Sequence, residues 1–274
     1  MSKVQISPVI TEAMKNIRHK IVVLSGKGGV GKTTVATNLA ISFAKKKMKS
    51  GILDVDIYGP NVPKLLGLEG QHPQIQDNKI QPIIGPLDIK VMSMGFLLRD
   101  NDDAVAWRGP LVARAINQFL SDVNWNHLDV LVVDLPPGTG DEILSILQSI
   151  PDISGVVIVS TPQEVAVLDA RRAIQLVSRM GVPILGIIEN MAEFVCPNCG
   201  ETHKIYGEGA AKNAAAEYNI SYLGTLPIDP RVSKLSDSGT PFVITDPDSK
   251  TANAFEAVVH KLMSKIGLET DETG

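Results

Sequence analysis

A glycine-rich octapeptide, GKGGVGKT, occupies residues 26–33 of the chain. It matches the pattern G-x-x-x-x-G-K-[ST] in full. The apolar run KIVVLSG comes directly before it, and an amphipathic stretch that begins near Lys32 comes directly after it. Glycines let the backbone turn sharply from a buried strand into a helix. The octapeptide therefore predicts a strand, a turn and a helix, in that order.

Short apolar runs recur along the chain, at residues 20–26, 51–56, 89–95, 129–138, 154–162, 183–191 and 221–227. Stretches with apolar residues at three- and four-residue spacing lie at residues 33–47, 110–123, 164–180 and 250–266, and the alanine-rich residues 207–218 predict another helix. Near-continuous apolar strands that alternate with amphipathic helices indicate a parallel sheet covered on both faces. We therefore predict an α/β fold with a doubly wound, mostly parallel sheet flanked by helices.

The domain organisation follows from composition. With 274 residues, 44% of them hydrophobic, the chain is long enough to bury one large core, and no composition break or repeat divides it. We expect residues 1–18 to form a short N-terminal helix or arm, residues 19–268 a single domain, and residues 269–274 a disordered tail. Residues 67–86 are polar and turn-rich, which predicts an exposed excursion.

Charge and hydropathy disfavour two classes of partner. The formal net charge of −4 disfavours nucleic acid, whose phosphates attract strongly basic proteins. No apolar run approaches the roughly 18 residues that cross a bilayer, and the N-terminus does not read as a signal peptide. We expect a cytoplasmic protein without a nucleic-acid or membrane partner.

The octapeptide also predicts a nucleotide site. Its backbone N–H groups turn inward around an anion, and the following helix adds its positive end. We expect Lys32 to reach the β- and γ-phosphates of ATP, Thr33 to coordinate Mg²⁺, and Thr34 to lie near the α-phosphate. A turn without any ligand is the alternative. The predicted cradle comprises Gly26, Lys27, Gly28, Gly29, Val30, Gly31, Lys32, Thr33 and Thr34.

Lys27 is a second lysine in the octapeptide, which a phosphate loop does not need. It is either a solvated loop lysine or a cation supplied across a dimer. In the second case it neutralises charge on the transferred phosphoryl group, as an arginine finger does.

Carboxylates end two of the predicted strands. Asp134 follows an apolar run, at the sheet edge where ligands of α/β folds bind, so we expect it to hold Mg²⁺ through water. Residues 136–140 then form a switch loop that senses the γ-phosphate. Asp54 and Asp56 face the same way on their strand, and a nearby cation would relieve their repulsion. Alternatively, both cap the turn at residues 58–60.

Cys196 and Cys199, the two cysteines of the chain, form a C-x-x-C motif. This motif fits zinc, iron–sulfur and thiol–disulfide chemistry, or an inert pair. A tetrahedral zinc or a [4Fe-4S] cluster usually takes four protein ligands, and a homodimer would supply four cysteines. His203, four residues beyond Cys199, is a candidate third ligand within one chain.

The loop KGGVGKT resembles the deviant phosphate loop of the class that contains the nitrogenase iron protein and MinD. Several further segments resemble the Mrp (ApbC-like) family of iron–sulfur cluster carrier ATPases. They are SGKGGVGKTT, DVDIYGPN, MSMGFLL, WRGP, DLPPGTGD, STPQEVA, IENM, FVCPNCG and LPIDP.

The resemblance implies a nucleotide-sandwich homodimer in which Lys27 reaches the partner's site and Asp56, supported by Asp54, orients the attacking water. It further implies a labile [4Fe-4S] cluster on the cysteine pairs of both subunits, slow hydrolysis of ATP, and transfer of the cluster to apo-proteins. By the same resemblance, Asn190 hydrogen-bonds the adenine, and Pro227 and Asp229 flank it. Asn190 could also be a turn residue after its strand.

A MinD-like or ParA-like positioning ATPase is the main alternative. A MinD-like protein would need a basic amphipathic C-terminal helix, whereas residues 250–266 include Glu256 and lead into an acidic tail. A ParA-like protein would need a basic surface for DNA. Neither accounts for the cysteine pair unless that pair holds a structural zinc, and the sequence does not distinguish zinc from a cluster.

Overall fold

The computed structural model describes residues 6–97, 109–196 and 198–268. Its strands are β1 (Ile17–Leu24), β2 (Ser50–Asp54), β3 (Ile75–Gln76), β4 (Lys79–Ile80), β5 (Ile83–Ile84), β6 (Lys90–Ser93), β7 (Leu128–Asp134), β8 (Gly155–Ser160), β9 (Ile184–Glu189), β10 (Phe194–Val195), β11 (Thr202–His203) and β12 (Tyr222–Thr225). Its α-helices are α1 (Pro8–Met14), α2 (Lys32–Lys45), α3 (Val62–Leu65), α4 (Gly109–Ser121), α5 (Asp141–Ser149), α6 (Glu164–Met180), α7 (Ala210–Glu217), α8 (Pro230–Asp237), α9 (Phe242–Thr245) and α10 (Lys250–Lys265).

The central sheet has the strand order β12-β9-β8-β1-β7-β2-β6-β5. All neighbours pair in parallel except β5, which runs antiparallel to β6. Every residue of β2 and β8 is buried, as expected when helices cover both faces of a parallel sheet. The order places the carboxyl ends of β1, β7 and β2 side by side, which is where the predicted phosphate and carboxylate residues lie.

The helices form two groups that flank the sheet. In one, α2 contacts α9 and α10; in the other, α6 contacts α7, and α4 contacts α1 and α5. A single hydrophobic cluster runs through the described residues from Ile10 to Leu268. The predicted α/β architecture is confirmed.

The seven predicted strands are all present, but several end earlier than the apolar runs suggest. β1 ends at Leu24 and β7 ends at Asp134, because the glycine- and proline-rich residues that follow form loops around the site. Helix α5 was not predicted from the sequence. It has nine residues and two serines, Ser145 and Ser149, whose hydroxyls donate to carbonyls four residues earlier.

The excursion at residues 67–86 contains more structure than its polarity suggests. β3 and β4 form a hairpin across Asp77 and Asn78, whose φ angles of 51° and 58° suit a two-residue turn between twisted strands. β5 then adds an antiparallel edge to the central sheet. Such two-residue strands leave no periodic pattern in a sequence.

The expected boundary at residue 18 falls inside β1, which begins at Ile17. Ile10 and Met14 of α1 are also buried in the same core as the sheet, so α1 packs as part of the domain. Residues 1–5 of the expected arm and the expected tail at 269–274 lie outside the described residues. In the part of the chain that the structure describes, no helix is long and apolar enough to cross a membrane.

Candidate functional site

The glycine-rich turn connects β1 to α2, and two of its glycines are required by the geometry. A Cβ on Gly26 would lie 2.2 Å from the carbonyl carbon of Asp169, in the backbone of α6. Gly31 has a φ of +81°, and a Cβ there would lie 2.3 Å from Asn190 Nδ2. The turn is therefore held between α6 on one side and the end of β9 on the other.

Lys32 is the first residue of α2 and is buried among carboxylates. Its Nζ lies 2.7 Å from Asp134 Oδ1 and 3.5 Å from Asp56 Oδ2. Burial raises the pKa of both carboxyl groups, and the charge of Lys32 opposes that rise. The structure thus brings together the predicted phosphate-binding lysine and both predicted acidic residues, in a direct ion pair.

Asp54 is fully buried and organises the loop that carries Asp56. Its Oδ1 accepts from the Asp56 N–H at 3.1 Å, and its Oδ2 accepts from the Ser93 hydroxyl at 2.8 Å and from the Val62 N–H at 3.3 Å. Burial raises the pKa of Asp54 to about 8; the Asp134 carboxylate adds to the rise, and the hydrogen bond from Ser93 opposes it. Asp54 therefore ties both ends of the loop between β2 and α3 to β6.

The oxygen atoms at this point fit a magnesium ion. Asp134 Oδ2 is buried, and no hydrogen-bond partner reaches it within the described chain. Lys32 Nζ lies 3.3 Å from the Thr33 hydroxyl and 2.7 Å from Asp134 Oδ1, so both oxygen atoms face the same cationic group. Mg²⁺ prefers such hard oxygen ligands together with water and phosphate.

Two adjoining cavities provide room for a nucleotide. One, of about 490 Å³, is lined by the glycine-rich turn together with Asp56 and Pro137. The other, of about 360 Å³ and here called the base cleft, is lined by Asn190, Pro227 and Asp229 among others. Gly31 and Thr34 line both, so the three residues expected around the adenine lie beside the predicted phosphate loop.

Two of these residues already have partners. Asn190 Nδ2 donates to the carbonyl of Val30 in the glycine-rich turn, at 2.9 Å. The Asp229 carboxylate accepts from the backbone and side chain of Arg231 and from the Thr251 hydroxyl, and the bonded Arg231 lowers its pKa. Asp229 thus caps α8 while it lines the base cleft.

Lys27 points away from the lysine–carboxylate cluster. Its Nζ donates to Gln163 Oε1 at 3.3 Å, just before α6 begins. Val165 and Leu168 on the same helix are 69% and 48% exposed, so uncovered apolar surface lies next to this lysine.

The cysteines lie between β10 and β11, in a unit here called the cysteine hairpin. Both thiols are free, with Cys199 exposed and Cys196 partly buried. The Cys196 N–H donates to the Glu201 carbonyl, and the Gly200 N–H donates to the Cys196 carbonyl, each at 2.9 Å. Hydrogen bonds from the backbone of Cys199 and Asn198 lower the pKa of Cys196, which favours its thiolate.

His203 does not join the cysteines. It pairs with Phe194 in the hairpin, and among the residues described no three His, Cys, Asp or Glu side chains gather closely enough to hold a metal. The candidate role of His203 as a third ligand within one chain is therefore not supported, because pairing of β10 with β11 places it opposite Phe194, two residues before Cys196.

Three residues at the site were not expected from the sequence. They are Ser93, which binds Asp54, Gln163, which binds Lys27, and Tyr206, which lines the base cleft. Ser93 and Gln163 lie inside segments that match the family motifs, which is a signal that could have found them. Tyr206 lies in a polar loop and becomes notable only once the hairpin returns it to the cleft.

Comparison with known proteins gives a consistent assignment. The family profile described as NUBPL iron-transfer P-loop NTPase, of the ParA group, matches residues 16–263. An iron–sulfur cluster carrier protein of Methanocaldococcus jannaschii is 49% identical, and the match covers 94% of this chain and 88% of that protein. The iron–sulfur cluster transfer protein NUBPL of Dictyostelium discoideum is 43% identical over 96% of this chain and 80% of its own.

Solved structures agree. A nucleotide-binding protein of Archaeoglobus fulgidus in complex with ADP is 41% identical, with a TM-score of 0.79, and the match covers 92% of this chain and 98% of that one. MinD of Pyrococcus horikoshii, solved with Mg-ADP, shares the fold with a TM-score of 0.69 at 21% identity, covering 90% and 96%. The resemblance to iron–sulfur cluster carriers is confirmed, and the chain belongs to the NUBPL iron-transfer family of P-loop NTPases.

Proposed function

We propose that this protein is an ATP-hydrolysing carrier that holds a labile [4Fe-4S] cluster between two subunits and transfers it to apo-proteins. The observation that carries the proposal is the cysteine hairpin, whose two free thiols are the only cysteines of the chain. A cluster with four cysteine ligands needs two such hairpins. The names of the relatives from Methanocaldococcus and Dictyostelium support the cargo.

The homodimer has further support from the surface around Lys27. Lys27 is held by Gln163 at the start of α6, where Val165 and Leu168 expose apolar side chains. A partner subunit placed against Lys27 would cover these apolar side chains. In the dimer, Lys27 of one subunit would act on the phosphates bound by the other, in the manner of an arginine finger.

The remaining site residues take roles in nucleotide hydrolysis. Lys32 exchanges Asp134 and Asp56 for the β- and γ-phosphates, which frees Asp56 to orient the attacking water. Thr33 and, through water, Asp134 hold Mg²⁺, which when bound neutralises phosphate charge. Thr34 lies near the α-phosphate, and the backbone of the turn cradles the anion. We expect hydrolysis to be slow.

The base cleft would take the adenine. After donating to Val30, the Asn190 amide keeps one N–H and its carbonyl oxygen for the base. Pro227 and Asp229 form the facing wall. Apo-proteins are the acceptors in this proposal; we expect no nucleic-acid or membrane partner and a cytoplasmic location.

Anaerobic reconstitution with iron and sulfide tests the proposal. We expect a brown dimer with about four iron atoms per dimer, which activates an apo-acceptor when mixed with it. Cys196→Ala should lose the colour and still bind nucleotide, whereas Lys32→Ala should keep the colour and lose ATP hydrolysis. A colourless zinc protein that never transfers iron would refute the cluster and favour a structural metal.

Mixed dimers test the role of Lys27. Combining Lys27→Ala with Lys32→Ala subunits yields some sites with an intact loop lysine and an intact lysine from the partner. Hydrolysis should therefore partly return, and no recovery would contradict action across the dimer.

A further inference from the structure

The first stem of the cysteine hairpin is an extension of the wall of the base cleft. β9 and β12 pair in the central sheet, and their pairing continues beyond the strand ends. Leu226 N–H donates to the Glu189 carbonyl and Ala192 N–H to the Leu226 carbonyl, each at 2.9 Å, and Ile228 N–H donates to the Glu193 carbonyl at 2.6 Å. A bridge between Phe194 and Ile228 completes the series.

The backbone that connects the predicted nucleotide site to the thiols is short and hydrogen-bonded. Five residues separate Asn190 from Cys196, and two of them, Ala192 and Glu193, are hydrogen-bonded to the backbone of residues 226 and 228. Met191 takes a φ of +57°, which is uncommon for a non-glycine residue and must be enforced by its surroundings. The Met191 methyl carbon would lie 3.7 Å from a Cβ placed on Gly31, so Met191 also packs close to the glycine-rich turn.

The second stem returns to the same cleft. Three residues beyond β11, Tyr206 lines the base cleft together with Asn190 and Pro227. Helix α7 follows, and the buried carboxylate of Glu189 accepts from the Ala211 N–H at its first turn, at 3.2 Å. Glu189 and Asn190 are neighbours at the end of β9, so both stems are tied to one point of the sheet.

We propose that Tyr206 stacks on the nucleotide base, and that a filled cleft thereby fixes both stems of the cysteine hairpin within a single subunit. Aromatic rings bind the flat face of a base, and the other walls already supply an amide at Asn190 and a ring at Pro227. The inference rests on the proposed function for its biological meaning. If bound nucleotide raises the affinity of the thiols for their ligand by some factor, linkage requires that this ligand raise the affinity for nucleotide by the same factor.

The test uses the full chain without iron, with ADP as the probe. Tyr206→Ala should raise the Kd for ADP about tenfold, within the range for a lost base–aromatic stack. Tyr206→Phe keeps the ring and should bind ADP as the unaltered protein does. Ile205→Ala, which truncates an exposed neighbour that does not line the cleft, is the matched control.

Coupling to the hairpin is read by hydrogen exchange at the amides of Cys196 and Gly200. Saturating ADP should slow their exchange about fivefold or more, the lower end of typical coupling between sites. The slowing should be the same at two protein concentrations, and Tyr206→Ala should abolish it even when saturated with ADP.

Four outcomes would overturn the inference. They are unchanged affinity of Tyr206→Ala for ADP, loss of ADP binding in Ile205→Ala, hydrogen exchange of the hairpin amides at the same rate with and without ADP, and slowing of that exchange by ADP only at high protein concentration. The last outcome would mean that dimerisation, and not the cleft, protects the hairpin. Failure of cluster reconstitution would refute the proposed function and leave these results unchanged, because no iron is present.

Discussion

Replacement of Lys32 should destabilise the nucleotide-free protein, in addition to preventing hydrolysis. The Lys32 ammonium group contacts the buried Asp134 carboxylate, at 2.7 Å, and it also lies near Asp56. Removing one partner of a buried ion pair leaves an uncompensated charge, which typically costs about 3–5 kcal/mol. The aspartate has one escape, which is to bind a proton.

Protonation sets an upper limit on the loss and makes it depend on pH. Holding a carboxyl group of ordinary pKa protonated costs about 4 kcal/mol at pH 7 and about 1.5 kcal/mol at pH 5. Lys32→Ala should therefore lower the unfolding temperature by about 10 °C at pH 7 and by less than half of that at pH 5. The measurement is thermal unfolding without nucleotide at both pH values.

Two further variants make the test specific. Lys27→Ala removes a lysine of the same loop whose partner is the neutral Gln163, so it should change stability by about 0.5 kcal/mol or less. The double variant Lys32→Ala with Asp134→Asn removes both charges and should recover most of the loss. Equal losses for Lys32→Ala at pH 5 and pH 7, or no recovery in the double variant, would refute the reasoning.

Two other predictions concern Asp54 and Gly26. Because burial raises the pKa of Asp54 to about 8, the folded state keeps a proton that the unfolded chain releases near pH 4; Asp54 should therefore cost stability increasingly as the pH rises from 4 to 8, by at most about 1.4 kcal/mol per pH unit. The free energy of unfolding of Asp54→Asn should thus rise, relative to that of the unaltered protein, as the pH increases over that range. Urea unfolding of both proteins at several pH values measures this difference, and parallel pH profiles would contradict the reasoning. Gly26→Ala would bring a Cβ to 2.2 Å from the backbone of α6, so it should cost about 1–3 kcal/mol and weaken ADP binding in calorimetry. Gly28→Ala, whose Cβ meets nothing nearer than 3.9 Å, is the stability control, and equal losses in the two variants would count against the packing argument.

The sequence was most informative where the physics is local. The glycine-rich turn, the buried parallel strands and the carboxylates at their ends all leave short patterns that can be recognised within a few residues. The resemblance to a family added Asn190, Pro227 and Asp229, which the structure brings to one cleft beside the glycine-rich turn.

Other features depend on contacts that no local pattern records. The ion pair of Lys32 with Asp134 belongs to the protein without nucleotide, whereas the motif describes a lysine on phosphate. Tyr206 lies 16 residues beyond Asn190 in the sequence and reaches the cleft only because the intervening cysteine hairpin folds back. β5 and the β3–β4 hairpin are too short to show a period, and α5 is short and carries serines that a helix pattern does not favour.

The hydrogen bonds of Asp54 have a consequence for how such a site can diverge. The Asp54 side chain fixes both ends of the loop that follows β2, through the N–H groups of Asp56 and Val62, while Tyr58 in the middle of the loop is 79% exposed. The Asp56 carboxylate also accepts from the Gly59 N–H, at 3.3 Å, so the backbone of the loop holds it whichever side chain stands at residue 58. The exposed side chain at residue 58 is therefore free to vary from one protein to another without displacing the Asp56 carboxylate from Lys32.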